Sequence, residues 1–436
     1  MMSDMNIQLL HRVRATAAVV AAGFGLGACG NLLDVEFPGQ IPAENINNPS
    51  LAPVLARSVI GDLECAYNNY SAGNSAHSDE WESSNGNVPG SNWGERTIGA
   101  GEDDYALGPC ENYSYFGMPS TLGTARYQSE DIFAKLSAWT DAEVAGRAGL
   151  MAKVRAYGAY SYLLMGETFC QVAFDGKAPE APAAALTKAE AQFAEAVTLA
   201  TTAGNADIVN LARVGLARAK MDLKKWSEAA TVAALVPVGY EKMADRGTET
   251  SRRFNKFYYF MTDGGYYTVT AELRATADPL SESFDPRYKV KDSGHGAFTP
   301  FIRLWYTEKY PALGTPIRLA SGREAQLILA EAKTYPGPQL DVAGALGILN
   351  ARRGQLGLSL IPATTNTSPL VARTAVINER RAELSFEGGH RTNDLLRYAL
   401  PWKGANGSTK VVNEFDGRPY GTTTCWPLPT KEANGA

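Results

Sequence analysis

Histidine is scarce in this chain, and no motif groups it with other metal ligands. The sequence has 4 histidines in 436 residues, and no two cysteines have the Cys-x-x-Cys spacing of structural zinc sites. His-Glu-x-x-His, a phosphate-binding glycine loop and a nucleophile elbow are also absent. We therefore expect no metal site, no cofactor and no catalytic centre of these kinds.

The sequence also lacks an excess of positive charge. Lysine and arginine number 41 against 46 aspartates and glutamates, so the formal net charge is −5. Proteins that bind nucleic acid usually concentrate basic residues on one face, and this sequence has no basic stripe. After Gly30 it has no apolar run near the roughly 20 residues that a membrane-spanning helix needs. We expect no nucleic acid partner and no transmembrane helix.

The N-terminal residues have the organisation of a signal peptide. Arg12 and Arg14 precede an uncharged run, 15–26, and the sequence Leu-Gly-Ala-Cys that ends at Cys29 resembles a bacterial lipobox. A buried core helix is the alternative, but a basic flank and an immediate Gly-Ala-Cys-Gly argue against it. The predictions are a lipoprotein signal peptide over 1–28, lipidation at Cys29 and a tether over 29–50.

Four cysteines remain after Cys29, an even number that suits an oxidising compartment. They are Cys65, Cys110, Cys170 and Cys425, and four cysteines allow three connectivities. We expect Cys65–Cys110, which closes a local loop, and Cys170–Cys425, which fastens the C-terminus to the central helices.

Helical periodicity covers most of the chain. Apolar residues recur at three- and four-residue steps in the segments 51–70, 124–139, 144–169, 187–201, 208–223, 226–235, 321–333 and 341–354. The alanine-rich stretch 187–235 resembles tetratricopeptide-like hairpins, which must stack to bury their apolar faces, although a generic bundle has similar spacing. The sequence predicts a mainly α fold. Two segments, 71–120 and 240–312, interrupt the pattern with glycine, serine and aromatic residues, and long loops of this composition often carry function.

A densely charged motif lies near the C-terminus, from Val376 to Tyr398. We expect a helix that stops at Gly388 and Gly389, followed by a short helix over Asp394–Tyr398 capped by Thr392 or Asn393. Its charges are spaced for pairing along a helix face, and the predicted structural ion-pair network comprises Glu379, Arg380, Arg381, Glu383, Glu387, Arg391, Asp394 and Arg397. The competing interpretation places these carboxylates and His390 in a catalytic or metal site.

Several motifs, in order along the chain, resemble the SusD/RagB family of outer-membrane nutrient-binding lipoproteins. They are the lipobox at Cys29, Lys153–Tyr157, Asp285-Pro286-Arg287, Ile317–Leu319 with Glu324 to Ala332, Leu349–Arg352 with Gly357, Asn378–Arg397, and Trp426–Glu432 with Asn434. The block Asn378–Arg397 is the most specific of these.

The resemblance implies stacked tetratricopeptide-like hairpins that support a loop-rich ligand-binding face. It further implies a lipid-anchored, surface-exposed protein of the cell outer membrane that binds a glycan, oligosaccharide or peptide. Such a protein hands its ligand to a TonB-dependent (SusC-like) transporter and is not an enzyme. We expect one domain over 51–436, with the helical scaffold at about 124–235 and 317–400 and loop-rich insertions at about 71–120 and 240–312.

Aromatic residues of the two insertions are the ligand-binding candidates, because aromatic rings stack on sugar faces while polar groups bond hydroxyls. The candidates are Trp81, Trp93, Tyr113, Tyr115, Tyr258, Tyr259, Tyr266 and Tyr267, with Asp79, Glu80 and Asn92 as polar partners. Each of these rings could instead pack beneath its own loop.

Two alternatives belong to other classes. A glycoside hydrolase needs two carboxylates about 5–10 Å apart, which could come from Asp79, Glu80, Glu82, Glu102, Asp103 and Asp104. A lipid-tethered helical scaffold for envelope assembly would bind no small ligand and would have a partner other than a transporter.

Overall fold

The computed structural model describes residues 46–84, 88–101, 103–110, 116–277, 284–362, 368–404 and 419–433. The predicted signal peptide over 1–28 and the lipidation site Cys29 lie outside this part of the chain, as do Tyr113 and Tyr115. From Pro49 onward, the residues belong to one compact unit.

Helices dominate the described residues, which confirms the mainly α fold. The helices are α1 (Ala52–His77), α2 (Val88–Glu95), α3 (Asp103–Leu107), α4 (Met118–Ala138), α5 (Arg147–Thr168), α6 (Pro182–Thr202), α7 (Ala206–Asp222), α8 (Trp226–Ala233), α9 (Ala271–Ala277), α10 (Gly322–Ala332), α11 (Val342–Gln355), α12 (Pro369–Glu383), α13 (His390–Arg397) and α14 (Thr430–Ala433). One π-helical turn, Tyr258–Asp263, lies between α8 and α9.

Helices that are neighbours in sequence are neighbours in space. Packing is most extensive between α5 and α6 and continues from α6 to α7 and from α7 to α8, while α10 packs on α8, α11 and α12. Short connections such as 203–205 force consecutive helices to run antiparallel. Small residues permit the close approach: a Cβ on Gly215 of α7 would lie 2.2 Å from the Phe193 ring of α6.

Helix α6 begins at Pro182, five residues earlier than the periodicity of 187–201 predicts. Proline has the backbone φ of a helix and needs no amide donor in the first turn, and the alanines that follow have the highest helix propensity. Thr187 is therefore an interior residue, whose hydroxyl donates to the Ala183 carbonyl at 2.8 Å.

Helix α1 is longer than the segment 51–70 predicted from its apolar residues, because the polar residues that follow have buried partners. The Ser75 hydroxyl donates to Oε2 of buried Glu80 at 2.6 Å. The indole of Trp426 donates to Oδ1 of Asn74 at 3.1 Å. The polar residues at the end of α1 are thus part of the core. The first insertion therefore begins after His77 rather than at 71.

Helix α13 starts at His390, four residues before the predicted Asp394, and neither Thr392 nor Asn393 is its cap. Gly388 and Gly389 both have left-handed backbones, with φ of 49° and 67°, which L-residues with a side chain rarely adopt. The chain turns within these two residues and re-enters a helix at once. A Cβ on Gly389 would also lie 2.5 Å from the Tyr70 ring.

The strands among the described residues are short and form two-stranded antiparallel sheets. They are β1 (Trp81–Ser83), β2 (Glu241–Ala244), β3 (Tyr267–Val269), β4 (Val290–Gly296), β5 (Arg303–Thr307) and β6 (Ile317–Ser321). The pairs are β1 with β3, with Trp81 opposite Val269, β2 with β6, and β4 with β5. The first pair joins the two insertions.

Both expected disulfides are confirmed, Cys65–Cys110 and Cys170–Cys425. The second fastens the C-terminal segment beside α5, where the Cys170 amide donates to the Trp426 carbonyl at 2.9 Å. Within the described ranges, no helix has the length and apolar content needed to cross a membrane.

Candidate ligand-binding surface

Three of the candidate rings, Trp81, Trp93 and Tyr267, are buried. Trp81 is 0% exposed and stacks on Tyr267 with ring centroids 5.1 Å apart. The ring centroid of Trp93 lies 4.8 Å from that of Trp426 and 5.0 Å from that of Phe116. These rings form an aromatic core between the first insertion and the C-terminal segment. Removing one would cost about 3–5 kcal/mol of stability, so their substitution cannot test ligand binding.

The acidic candidates are engaged in structural contacts. Asp79 accepts from the guanidinium of Arg391 at 2.6 Å and from that of Arg381 at 2.9 Å. Burial raises the pKa of Asp79, but the bonds and charge of Arg391 outweigh it, so the pKa lies below its ordinary value. Asp79 is therefore ionised and paired across more than 300 residues of sequence.

Glu80 and Asn92 also stabilise their surroundings. Glu80 accepts from the Ser75 hydroxyl at 2.6 Å and from the Phe386 amide at 2.7 Å. Burial is the main reason that its pKa rises to about 7. Phe386 has a left-handed backbone, φ 60°, and its amide is held by this carboxylate. The Asn92 side chain accepts from the Thr97 hydroxyl at 3.0 Å.

The remaining tyrosines of the second insertion reach the surface. Tyr258 and Tyr259 are half-buried on the π-helical turn, and Tyr266 is half-buried on the loop that follows. The Tyr266 ring lies 5.1 Å from Phe298, which is 58% exposed. Phe301, at the end of the same loop as Phe298, is 81% exposed. We call Tyr259, Tyr266, Phe298 and Phe301 the aromatic surface.

Buried Phe260 supports the aromatic surface from below. Its ring meets Tyr259 edge-on at 5.3 Å and Tyr266 edge-on at 6.1 Å. Aromatic side chains have few rotatable bonds and therefore lose little conformational entropy when they bind a ligand. Rings that are already fixed by an underlying ring lose even less. The surface is therefore suited to binding without rearrangement.

The backbone around Gly265 joins the two loops that carry these rings. The Phe298 amide donates to the Gly265 carbonyl at 2.8 Å. Gly265 has φ 61°, and a Cβ there would lie 2.9 Å from the Phe298 nitrogen, so only glycine fits. Buried Ser84 links the same loops, because its hydroxyl donates to the Gly265 carbonyl at 2.6 Å and its carbonyl accepts from Thr299 at 3.0 Å.

The charged motif is arranged differently from the pairing along one helix face that its spacing predicts. Arg397 does pair with Asp394, three residues away, at 2.8 Å. The other charges contact residues of distant segments, namely Glu379 with Arg287, Arg380 with Asp394 of the next helix, Arg381 and Arg391 with Asp79, Glu383 with Arg352, and Glu387 with Arg318 and Lys309. The motif thus connects the scaffold to both insertions.

His390 is enclosed rather than presented to a substrate. It is 4% exposed, and burial, together with the charge of Arg218, holds its pKa well below the ordinary value. Arg218 lies 3.3 Å from its Nε2. No group of three or more His, Cys, Asp or Glu side chains suited to a metal ion occurs in the part of the chain described.

Phe298 and Phe301 were not among the candidates predicted from the sequence. They lie in the run Ala297-Phe298-Thr299-Pro300-Phe301, where proline and threonine indicate a loop. Phenylalanine in a loop of this kind could have been taken as a sign of an exposed aromatic side chain. The sequence could not reveal that this loop would meet Tyr266.

The comparisons with known proteins agree with this architecture. The sequence model of the SusD family matches residues 316–434. A SusD-like carbohydrate binding protein from Bacteroides vulgatus is similar with a TM-score of 0.62 and 16% identity, over 83% of this chain and 86% of that chain. A comparison with curated proteins finds no match.

Two further solved structures have the same fold. A laminarin binding SusD-like protein has a TM-score of 0.59 and 16% identity, over 89% of this chain and 97% of its own. A SusD superfamily protein from Bacteroides fragilis has a TM-score of 0.66 and 13% identity, again over 89% and 97%. The similarity therefore extends well beyond the matched C-terminal residues.

Proposed function

We propose that this chain is a SusD-family protein that binds a glycan at the aromatic surface. The match of residues 316–434 to the SusD family model and the SusD-like fold support this proposal. In this proposal the protein does no chemistry on its ligand. It is lipid-anchored at Cys29 on the outer membrane and delivers the glycan to a TonB-dependent (SusC-like) transporter.

The observation that carries the proposal is the exposed aromatic surface itself. Phe298 and Phe301 are exposed and Tyr259 and Tyr266 are half-buried, and exposed apolar side chains next to other aromatic rings often mark a binding site. The flat faces of Tyr266 and Phe298 suit the apolar face of a sugar ring. Similar structures described as carbohydrate binding and laminarin binding support a glycan as the ligand. The carboxylates of Asp79 and Glu80, which a hydrolase would need free, are engaged by Arg391 and by Ser75.

Replacing Tyr266 or Phe298 by alanine is expected to weaken glycan binding about tenfold or more, because truncating a central aromatic contact costs at least ~1.4 kcal/mol. Calorimetry against a panel of soluble α- and β-glucans, laminarin among them, measures the affinity. The melting temperature of the Phe298→Ala variant should change little, since the Phe298 ring is 58% exposed.

Tyr127→Ala is the matched control, because Tyr127 is 62% exposed but lies on α4 and is not part of the aromatic surface. It should leave affinity unchanged. Unaltered affinity in both Tyr266→Ala and Phe298→Ala would rule out the aromatic surface as the site. Failure of the unaltered protein to bind any neutral glycan of the panel would reject the ligand class instead.

Replacing Cys29 by alanine is expected to release the protein from the membrane while leaving its fold and glycan affinity intact. One lipidated cysteine bearing several acyl chains holds a protein firmly, because each buried CH₂ contributes about 0.8 kcal/mol. Cell fractionation measures retention, and growth on the bound glycan measures uptake. Uptake that survives in this variant contradicts delivery to a transporter. Co-purification of a TonB-dependent barrel with the anchored protein, lost on Cys29→Ala, supports it.

A further inference from the structure

A cavity of about 440 Å³ lies between α10, α11 and α12, beside the Asp285-Pro286-Arg287 turn. This volume is within the range of small-molecule sites. Its apolar part comes from Val238, Leu327, Ile348 and Leu349. It shares no lining residue with the aromatic surface.

The charged wall of this cavity contains one more guanidinium than carboxylate. Glu379 is paired with Arg287 at 2.7 Å, and Glu383 with Arg352 at 2.9 Å. Both carboxylates are thus neutralised by the protein itself. Arg323 is the remaining cation of the lining.

Arg323 has no carboxylate within ion-pair distance among the residues that the structure describes. Its Nη2 donates to Oε1 of Gln355 at 2.8 Å, which leaves its other N–H groups available to a ligand. Partial burial, and next the charge of nearby Arg352, lower the pKa of Arg323 from its ordinary value. A bound anion would offset this repulsion.

A second cavity of about 490 Å³ adjoins the first and shares the wall of Arg287, Arg352 and Glu383. It adds the cations Lys289, Lys309 and Arg318 and one further carboxylate, Glu387. The two linings together contain six basic side chains and three carboxylates, while Asp285 and Glu241, outside the linings, pair with Arg287 and Arg318. The excess of basic groups that remains attracts anions.

The rim formed by α11 leaves room for a ligand. A Cβ on Gly347 would meet nothing within 4 Å, although Gly347 lines the cavity. The opening is therefore not filled by the protein's own side chains at that point. A larger residue there would enter the space without displacing its neighbours.

We propose that the cavity between α10, α11 and α12 binds a small carboxylate-bearing molecule, with the carboxylate on Arg323 and its compact body against Leu327 and Ile348. Guanidinium groups bind carboxylates through paired N–H donors, and the apolar floor suits a ring or short side chain. Two sources share this chemistry: an acidic sugar unit and the C-terminus of a short peptide. The site is separate from the aromatic surface, so it does not depend on glycan binding there.

Calorimetry with five probes tests the ligand chemistry. D-glucuronate and D-galacturonate represent the acidic sugars, and N-acetyl-alanyl-alanine represents the peptide C-terminus. D-glucose and the amide of the peptide are the uncharged counterparts. We expect binding of at least one carboxylate, weakening as NaCl is raised because salt screens the charge, and no binding of its uncharged counterpart.

Two pairs of variants locate the site. Gly347→Trp should abolish binding by filling the cavity, whereas Gly354→Trp should not, because Gly354 is on the same helix, also faces open space and does not line the cavity. Arg323→Gln should weaken binding about tenfold or more. Arg213→Gln makes the same charge change on α7, outside the cavity, and should have no effect.

The outcomes separate cleanly. Binding of a uronate alone assigns the site to acidic sugars, and binding of the peptide acid alone assigns it to peptide C-termini. The proposal is overturned if no carboxylate binds at up to about 10 mM, if uncharged counterparts bind equally well, or if Gly347→Trp and Gly354→Trp behave alike. The variants of the aromatic surface do not alter this cavity. Loss of glycan binding in Tyr266→Ala therefore does not affect the test of carboxylate binding, and the two proposals can fail separately.

Discussion

Replacing Arg218 by leucine is expected to lower the free energy of unfolding by about 3–5 kcal/mol, the usual cost of removing one partner from a buried ion pair. Arg218 is 1% exposed. Its Nη2 donates to Oε2 of Glu167 at 2.6 Å and to the Gly388 carbonyl at 3.0 Å, and its Nη1 lies 3.4 Å from Glu324. One side chain of α7 thus joins α5, α10 and the glycine turn before α13.

The cost arises because two carboxylates would lose their cation. Glu167 and Glu324 are both nearly inaccessible to water. Burial already raises the pKa of Glu324 to about 7, even with Arg218 present to lower it. Without Arg218, Glu167 would lose its ion-pair partner while remaining buried, and the pKa of Glu324 would rise further.

Urea unfolding followed by tryptophan fluorescence measures this loss. Arg213→Leu is the control on the same helix, because among the described residues the Arg213 side chain makes one exposed hydrogen bond, to the Leu235 carbonyl. This substitution should change stability by no more than about 0.5 kcal/mol. Adding Glu167→Gln to Arg218→Leu should restore part of the loss by removing one uncompensated charge. A loss below about 1 kcal/mol in Arg218→Leu would show that the cluster is not held as a buried network.

Removing the Cys170–Cys425 disulfide by a double serine substitution is expected to cost about 5 kcal/mol, against about 4 kcal/mol for Cys65–Cys110. The difference follows from loop length, since the first bond closes 255 residues and the second 45, and a longer loop gains more entropy when unfolded. Trp426, 0% exposed and adjacent to Cys425, would lose its covalent hold on α5.

Unfolding experiments without reductant on the unaltered protein and the two double-serine variants show which disulfide contributes more stability. The unfolding transitions in urea should move to lower concentration in both variants, and further in the Cys170→Ser/Cys425→Ser protein. A larger loss from the shorter loop would contradict the loop-entropy account. It would place the stabilising effect in the local packing of α1 instead.

The helical scaffold was predictable from the sequence because its determinants are local. The periodic segments 208–223, 321–333 and 341–354 correspond to α7, α10 and α11 within a few residues. At each start a polar side chain caps the helix, as when the Ser321 hydroxyl accepts from the Glu324 amide at 3.1 Å. Boundaries were missed where polar residues had distant partners, as Asn74 of α1 has in Trp426.

The candidate site was predicted only in part. The sequence indicated Tyr259 and Tyr266 together with Trp81 and Trp93, since all are aromatic residues in polar segments. The structure buries both tryptophans and exposes Phe298, which the sequence did not indicate. Residue type indicates what a side chain can bind, but exposure depends on what the rest of the chain packs against it.

The sequence alone therefore determined the mainly α scaffold, because helix periodicity is a local property. It also predicted the cysteine pairing that the structure confirms, and its linear motifs carried the resemblance to the SusD/RagB family. Only the tertiary structure decided which aromatic rings face solvent, that Asp79 is already paired with Arg391, and that Arg323 lines a cavity whose two carboxylates pair with other arginines. The physical reason is common to all three. Burial and charge compensation depend on groups that folding brings together from positions hundreds of residues apart.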